Sequence, residues 1–391
     1  MIKRLDVLIV AICISVCARC SRGIHEDAKL NFTSLAAKYG HRVEEHHVVT
    51  EDQYVLKLFH VVGDARRPVL LVHGMVDSAD TFMIRGNASL AIALVNNGYD
   101  VWAFNARGNR YSRSHRRLNP DVDMRFWDFS FHEMGYYDLP AAIDHVLGRT
   151  KQPQLRAIGH SQGNTVFYVL GSTRPEYNEK IKVMIALAPV CFLEHVKPPV
   201  STLLDSFPVF DRVLRLFGME EVFNDRSLVR RVFEAVCSAG AVSYDVCGHG
   251  LIFAISGSDP AEFEPEFLPV VVAHYPSSTS RKNGVHVGQV ARRKRFARYD
   301  YGPRGNAAVY NASVPPSYDL GKVSMRIALF ASRNDAISSI RDAETLRDRL
   351  PNVVDYKVLK YKRLNHLDHV WGRNMHKYLF PYIFSTLSAY D

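Results

Sequence analysis

At 391 residues and 47% hydrophobic content, the chain is a globular protein with material for a large core, arranged as one elaborated domain or two. A net charge of +9 favours anionic partners, and Arg292-Arg293-Lys294-Arg295 with Arg298 is the densest basic cluster. No nucleic-acid-binding module accompanies it, so the cluster reads as a solvated loop and nucleic acid is set aside as a partner; an anionic lipid surface is not.

Met1-Ile2-Lys3-Arg4, an apolar stretch from Val7 to Val16 and small residues around Ala18 and Cys20 make a signal peptide over residues 1–20, too short for a membrane span. No later apolar run approaches the twenty residues of a membrane helix, so the expectation is an exported protein without an integral span. Arg42 to Val48 and Gln53 to Val62 are β-rich runs joined by Thr50-Glu51-Asp52, a hairpin. Val69 to Val72 is a short apolar strand ending in His73-Gly74-Met75. A helical stretch from Ala88 to Asn96, a strand from Val101 to Phe104 and a helix from Tyr137 to Leu147 follow. Leu155-Arg156-Ala157-Ile158 then runs into Gly159-His160-Ser161-Gln162-Gly163, a helix-compatible segment and another apolar run, Lys182 to Ala188. Strands alternating with helices predict an α/β fold with a mostly parallel sheet covered on both faces.

The alternation stops between Cys191 and Lys322, where helix-compatible pieces (Leu203 to Phe217, Val229 to Val236) mix with Pro-, Gly- and Ser-rich segments, and resumes at Arg326 to Ala331 and Val354 to Leu359. The expected division is a core over 21–190, an inserted apolar cap over 191–322 and a second part of the core over 323–391. Of six cysteines, Cys13, Cys17 and Cys20 fall in the leader. In an oxidising compartment Cys237 and Cys247 are the natural disulfide, with Cys191 left as a buried thiol. Their spacing matches no zinc site. Glycosylation sequons begin at Asn31, Asn87 and Asn311.

Gly-X-Ser-X-Gly occurs by accident in about one chain in eight of this length. Between a strand and a helix it gains meaning, because glycines two residues either side let strand and helix close up around a strained, outward-facing serine. Ser161 is therefore the candidate nucleophile. It needs a base and an acid in the chain order Ser, Asp, His. Asp335 lies just past the Arg326 to Ala331 strand, and His366 on the loop after the last strand. Asp342, in a charged helix-like segment, reads as solvated. His369 and His376 fall on the terminal helix and are less well placed than His366. An oxyanion needs two backbone N–H donors, for which Gln162 and Met75 are the candidates.

Together Leu70-Leu71-Val72-His73-Gly74, Asn105-Ala106-Arg107-Gly108-Asn109-Arg110-Tyr111-Ser112-Arg113, Phe126-Trp127-Asp128-Phe129-Ser130, the Gly-His-Ser-Gln-Gly turn, Tyr299-Asp300-Tyr301-Gly302 and Asn365-His366-Leu367-Asp368 resemble the acid lipase family of α/β-hydrolases. The resemblance spans nearly all of the chain after the leader. It implies Ser161, Asp335 and His366 as the triad, Met75 and Gln162 as the oxyanion hole, a helical cap with a lid, and the Cys237 to Cys247 bridge. It also implies a secreted or lysosomal lipase that cleaves triacylglycerols or cholesteryl esters at a lipid–water interface, with no metal or cofactor required. Met75, Asn164 and Ile337 depart from the residues usual in that family. A lipid-binding or storage protein on the same scaffold, or an esterase for short soluble esters, is the alternative.

Overall fold

The computed structural model describes residues 25–238 and 241–391. The segment expected to be a signal peptide, with Cys13, Cys17 and Cys20, lies outside the described residues. The hairpin pairs β1 (Val43–Val49) with β2 (Val55–Val61) antiparallel, Val49 opposite Val55. β3 (Pro68–Val72), β4 (Asp100–Phe104), β5 (Leu155–His160), β6 (Ile181–Leu187), β7 (Ile327–Ala331) and β8 (Val353–Val358) complete one eight-stranded sheet. Its order is β1-β2-β4-β3-β5-β6-β7-β8, parallel from β4 to β8 with the hairpin antiparallel at one edge. The expected α/β class is what forms.

Strand periodicity builds two cores. Val69, Leu71, Val101, Ala103, Ile158, Val183 and Ile185 enter one hydrophobic cluster, and their neighbours Leu70, Val72, Trp102, Phe104, Ala157, Met184 and Ala186 enter another. Successive side chains point to opposite faces, so each face of the sheet carries its own core. Helices α1 (Phe32–Lys38) and α2 (Leu90–Asn96) cover the first; α3 (Leu139–Thr150) and α4 (Gln162–Thr173) cover the second. Every residue of β3 and β5 is buried, as a doubly covered parallel sheet requires.

From residue 188 to 326 the chain leaves the large sheet. This segment carries α5 (Val200–Leu216), α6 (Leu228–Cys237), α7 (Leu268–His274), α8 (Arg281–Arg293) and α9 (Gly302–Tyr310). The Cys237–Cys247 disulfide lies within it, and Cys191 at its start is a buried free thiol. Gly288 of α8 lets α5 approach closely: a Cβ there would sit 2.9 Å from the Phe207 ring. The chain ends with α10 (Ile340–Arg349) between β7 and β8, and α11 (Phe380–Ser388).

Two expectations need correction. Arg292 and Arg293 form the last turn of α8 and are exposed there rather than on a loop. Cations are favoured at that position because the last carbonyls of a helix carry partial negative charge. Asp342 is buried, not solvated: it lies in the first turn of α10, and its carboxylate accepts from the His195 backbone N–H (3.1 Å) and pairs with His195 Nδ1 (2.8 Å). A charged helix still has an inward face, and this one meets the start of the 188–326 segment.

Candidate active site

Ser161 stands between β5 and α4 at φ 53°, ψ −119°, a left-handed conformation that an L-residue holds only when its surroundings enforce it. The enforcement is visible. Ser161 N–H donates to the Leu187 carbonyl at 3.1 Å, and a Cβ on Gly163 would fall 2.3 Å from the Val72 carbonyl oxygen. Asn164 ties the first turn of α4 to the end of β6 through Nδ2 to the Leu187 carbonyl (2.8 Å).

His366 Nε2 lies 2.8 Å from Ser161 Oγ, and its Nδ1 lies 2.9 and 3.0 Å from the two Asp335 carboxylate oxygens. A carboxylate only accepts, so Nδ1 carries the proton and Nε2 presents a lone pair to the serine hydroxyl. Asp335 is held in turn by the N–H groups of Ile337 (2.8 Å) and Ser338 (2.7 Å) on Oδ1. The structure thus brings together Ser161, His366 and Asp335, which are far apart in the chain. His369 and His376 are not part of this chain of contacts, and neither lies on the terminal helix as expected: His369 sits in the turn Asp368–Trp371, buried against Ser332 Oγ at 3.2 Å, and His376 in the separate turn Met375–Tyr378.

Met75 and Gln162 line the same cavity as Ser161 and His366. Gln162 opens α4, where a helix leaves its first N–H groups without internal partners. On the other side, His73 Nδ1–H donates to the Gly74 carbonyl (2.8 Å), while its Nε2 accepts from Ala106 N–H (3.1 Å). In a trans peptide the C=O and N–H point in opposite directions, so fixing the Gly74 carbonyl also fixes the Met75 N–H. Burial pushes the His73 imidazole down to about 4, which keeps it neutral and this tautomer in place. A Cβ on Gly74 would stand 3.2 Å from Ser161 Cβ, so the loop closes tightly over the elbow.

The motif after β4 supports this loop from beneath. Arg107 is buried between Asp138 and Asp52, with Nε to Asp138 at 2.8 Å and Nη1 to Asp52 at 2.6 Å. Asn109 Nδ2 bonds Asn105 Oδ1 (3.0 Å), and Tyr111 hydroxyl donates to Asp80 at 2.9 Å. His160, just before the nucleophile, donates from Nε2 to the His366 carbonyl at 2.9 Å; burial, with the His366 ring beside it, pushes it down to about 3.

Two supports from the 188–326 segment were not legible in the sequence. The Ser256 carbonyl accepts from His366 N–H (3.0 Å) and from Ala336 N–H (3.3 Å), joining the loops of base and acid. Gly257, at φ 101°, fits beside them because a Cβ there would overlap the Asn334 carbonyl. Asn283 of α8 exchanges amide hydrogen bonds with Gln162 (3.0 and 3.2 Å), and its Oδ1 accepts from Phe131 N–H at 2.9 Å. No local signal marks either contact.

The cavity above Ser161 is apolar, walled by Leu204, Phe207, Val287, Val290 and Ile337. The exposed large apolar residues concentrate on the neighbouring surface, including Val209, Phe210, Val213, Leu216 and Phe217 on and beside α5. The three sequon asparagines, Asn31, Asn87 and Asn311, are all exposed.

Comparison with known proteins agrees with this architecture. A family profile described as alpha/beta hydrolase fold matches residues 67–218, and one described as a partial alpha/beta-hydrolase lipase region matches residues 32–86. The chain is 38% identical to Lipase 1 of Drosophila melanogaster, over 94% of this chain and 81% of that protein. It is 33% identical to gastric triacylglycerol lipase of Homo sapiens, over 93% and 92%. Among solved structures, an esterase from Thermogutta terrifontis shares the fold at TM-score 0.51 and 16% identity, covering 88% of this chain and 98% of that one.

Proposed function

Because the chain belongs to the acid lipase family of α/β-hydrolases, we propose that it is an exported lipase that hydrolyses carboxylic esters of lipids, triacylglycerols foremost, through an acyl-enzyme on Ser161. The observation that carries the reading is the unbroken contact from Ser161 Oγ through His366 to Asp335 at the floor of an apolar cavity.

In this reading His366 Nε2 takes the hydroxyl proton as Ser161 Oγ attacks the ester carbonyl. The oxyanion that forms is held by the N–H groups of Met75 and Gln162, each worth about 3 kcal/mol to the transition state. His366 then gives its proton to the departing alcohol, leaving the acyl group on Ser161. It next takes a proton from water as the water oxygen bonds the acyl carbon, and returns that proton to Ser161 Oγ as the Oγ–acyl bond breaks and the fatty acid leaves. Asp335 keeps the imidazole in the required tautomer and stabilises its cationic form. The apolar walls accept an acyl chain, and the exposed apolar face of α5 would lie on the lipid surface from which the chain is drawn.

The test is hydrolysis of long-chain triacylglycerol and of a short soluble ester by the purified protein, above and below the solubility limit of each, beside Ser161→Ala. Turnover that rises when the lipid interface forms, and that vanishes in the variant, is expected. Equal preference for the short ester with no interfacial rise would make the protein a soluble-ester esterase, and lipid binding without turnover would make it a carrier.

A further inference from the structure

A second constellation lies at the antiparallel edge of the sheet, on strands that carry none of the groups above. Glu44 and His46 are two residues apart on β1 and so share a face. His60 on β2 is paired directly opposite Glu44. The register therefore gathers one carboxylate and two imidazoles. His46 Nε2 and His60 Nδ1 each stand 3.6 Å from Glu44 Oε2, and all three donor atoms lie within 4.8 Å of one another. Both imidazole nitrogens are buried without a hydrogen-bond partner. A buried polar atom left in that state calls for a ligand.

The surrounding groups orient these nitrogens. His60 Nε2 donates to Asp100 Oδ1 at 2.6 Å, and Asp100 also accepts from Gly63 N–H (3.0 Å) and from Trp102 Nε1–H (2.7 Å). A carboxylate that accepts three N–H groups obliges His60 to carry its proton on Nε2, so Nδ1 turns a lone pair toward Glu44. The Trp102 ring stacks on His60 at 3.9 Å and 6°, fixing its plane. His46 Nδ1 lies 3.2 Å from His145 Nε2 on α3; a proton on Nδ1, donated to His145, leaves the His46 Nε2 lone pair pointing at the same spot. A carboxylate on the far nitrogen of a metal-bound histidine, as Asp100 provides for His60, is how such ligands are held.

We propose that Glu44, His46 and His60 bind a divalent cation of the zinc class, with Asp100 and His145 as the groups that orient the two histidines. Two imidazoles and one carboxylate suit zinc, whose bonds of about 2.0 to 2.1 Å set tetrahedral ligands about 3.3 Å apart; the two 3.6 Å contacts to Glu44 are near that spacing, and the imidazole nitrogens, within 4.8 Å, would close around the ion. The partly exposed Glu44 leaves the fourth position open to water. Two arginines face the same carboxylate: Arg42 holds Oε1 at 2.8 Å, and Arg149 lies 4.0 Å from Oε2. Both side chains are more than half exposed, so solvent screens them and a cation on Oε2 displaces only the weaker, distant contact. The ion would clip the edge strand β1 to β2, and it takes no part in ester hydrolysis.

The experiment uses the chelator-stripped, full mature protein titrated with Zn2+ by calorimetry, with thermal melting and ester turnover read on the same samples. One ion per chain is expected, with a melting point a few degrees higher at saturation and turnover unchanged. Glu44→Gln, His46→Phe and His60→Gln should each abolish stoichiometric uptake, and Asp100→Asn should weaken it 10- to 100-fold. Since a variant could fail to fold, the wild type is also followed by histidine-ring NMR, in which Zn2+ should shift the ring signals of His46 and His60. Absence of stoichiometric uptake, uptake that persists in folded His46 or His60 variants, or ring signals of these two histidines that do not move would overturn the proposal. None of these readings depends on whether the protein is a lipase.

Discussion

The amide clasp between Asn283 and Gln162 separates two roles that contact alone does not: holding the 188–326 segment down, and supporting catalysis. Asn283→Ala leaves four buried groups without partners, the Phe131 N–H, both ends of the Gln162 amide and the Thr279 hydroxyl oxygen. At about 1 to 3 kcal/mol for each unsatisfied group, and allowing for water entering the space, the expected loss is about 3 to 5 kcal/mol. That is a fall in melting temperature of about 4 to 6 °C for a chain of this length. The Gln162 donor assigned to the oxyanion is its backbone N–H, which the start of α4 orients whatever its side chain does, so kcat should fall less than about tenfold. Gln162→Leu combined with Asn283→Leu removes both amides and leaves only the Phe131 N–H and the Thr279 hydroxyl unpaired; it should recover about 1 to 2 kcal/mol of the loss. Denaturant unfolding and single-substrate kinetics on the wild type and these two variants decide the matter. A kcat loss of a hundredfold at unchanged stability would refute the reasoning, because the clasp would then be positioning the oxyanion donor rather than the segment.

Asp335→Asn preserves shape but lets His366 take the wrong tautomer; kcat should drop by about 10⁴ with an unchanged melting curve, and a loss under tenfold would remove Asp335 from the triad. Gly163→Ala sets a Cβ 2.3 Å from the Val72 carbonyl oxygen and 2.9 Å from that of His73, both rigid backbone, so it should cost more than the usual 1 to 3 kcal/mol of overpacking and abolish turnover. Soluble, fully active Gly163→Ala protein would show that the elbow has room. For acid stability, His160 titrates near 3 when folded and near 6.5 when unfolded, so the unfolded chain takes up the proton first and stability falls as pH drops below 6.5. Against His160→Gln, which does not titrate, the wild type should lose about 1.4 kcal/mol more per pH unit between pH 6 and 4; parallel stability curves would refute it.

What the sequence made legible was whatever is local. The elbow announces itself because strand, Gly-X-Ser-X-Gly and helix are contiguous, and the close packing that holds Ser161 in its strained backbone needs glycines two residues away. Asp335 and His366 could be placed because each follows a strand of a parallel sheet, whose carboxyl ends share one edge. The hairpin followed from two alternating runs and a short turn. Where the reading of a single segment went wrong, it treated charge as exposure. Asp342 is buried because its partner, His195, lies 147 residues earlier, and no periodicity in α10 encodes that distance.

The same limit explains why the outer supports stayed hidden. Asn283 meets Gln162 across 121 residues, and the Ser256 carbonyl reaches His366 only once the 188–326 segment has folded back over the sheet. Glu44, His46 and His60 are different in kind. Their spacing along β1 and β2 is visible in the sequence, but a shift of one residue in the hairpin register would turn His60 to the other face and scatter the three. Register is fixed by the turn and by which face is buried, so what brings these ligands together is the packing of Leu56, Leu58 and Trp102 on the same face rather than any metal-binding pattern. A site specified this way should tolerate conservative changes in the hairpin turn. It should be lost on inserting a single residue between Val49 and Val55, which Zn2+ titration of the insertion variant, still active as an esterase, would test.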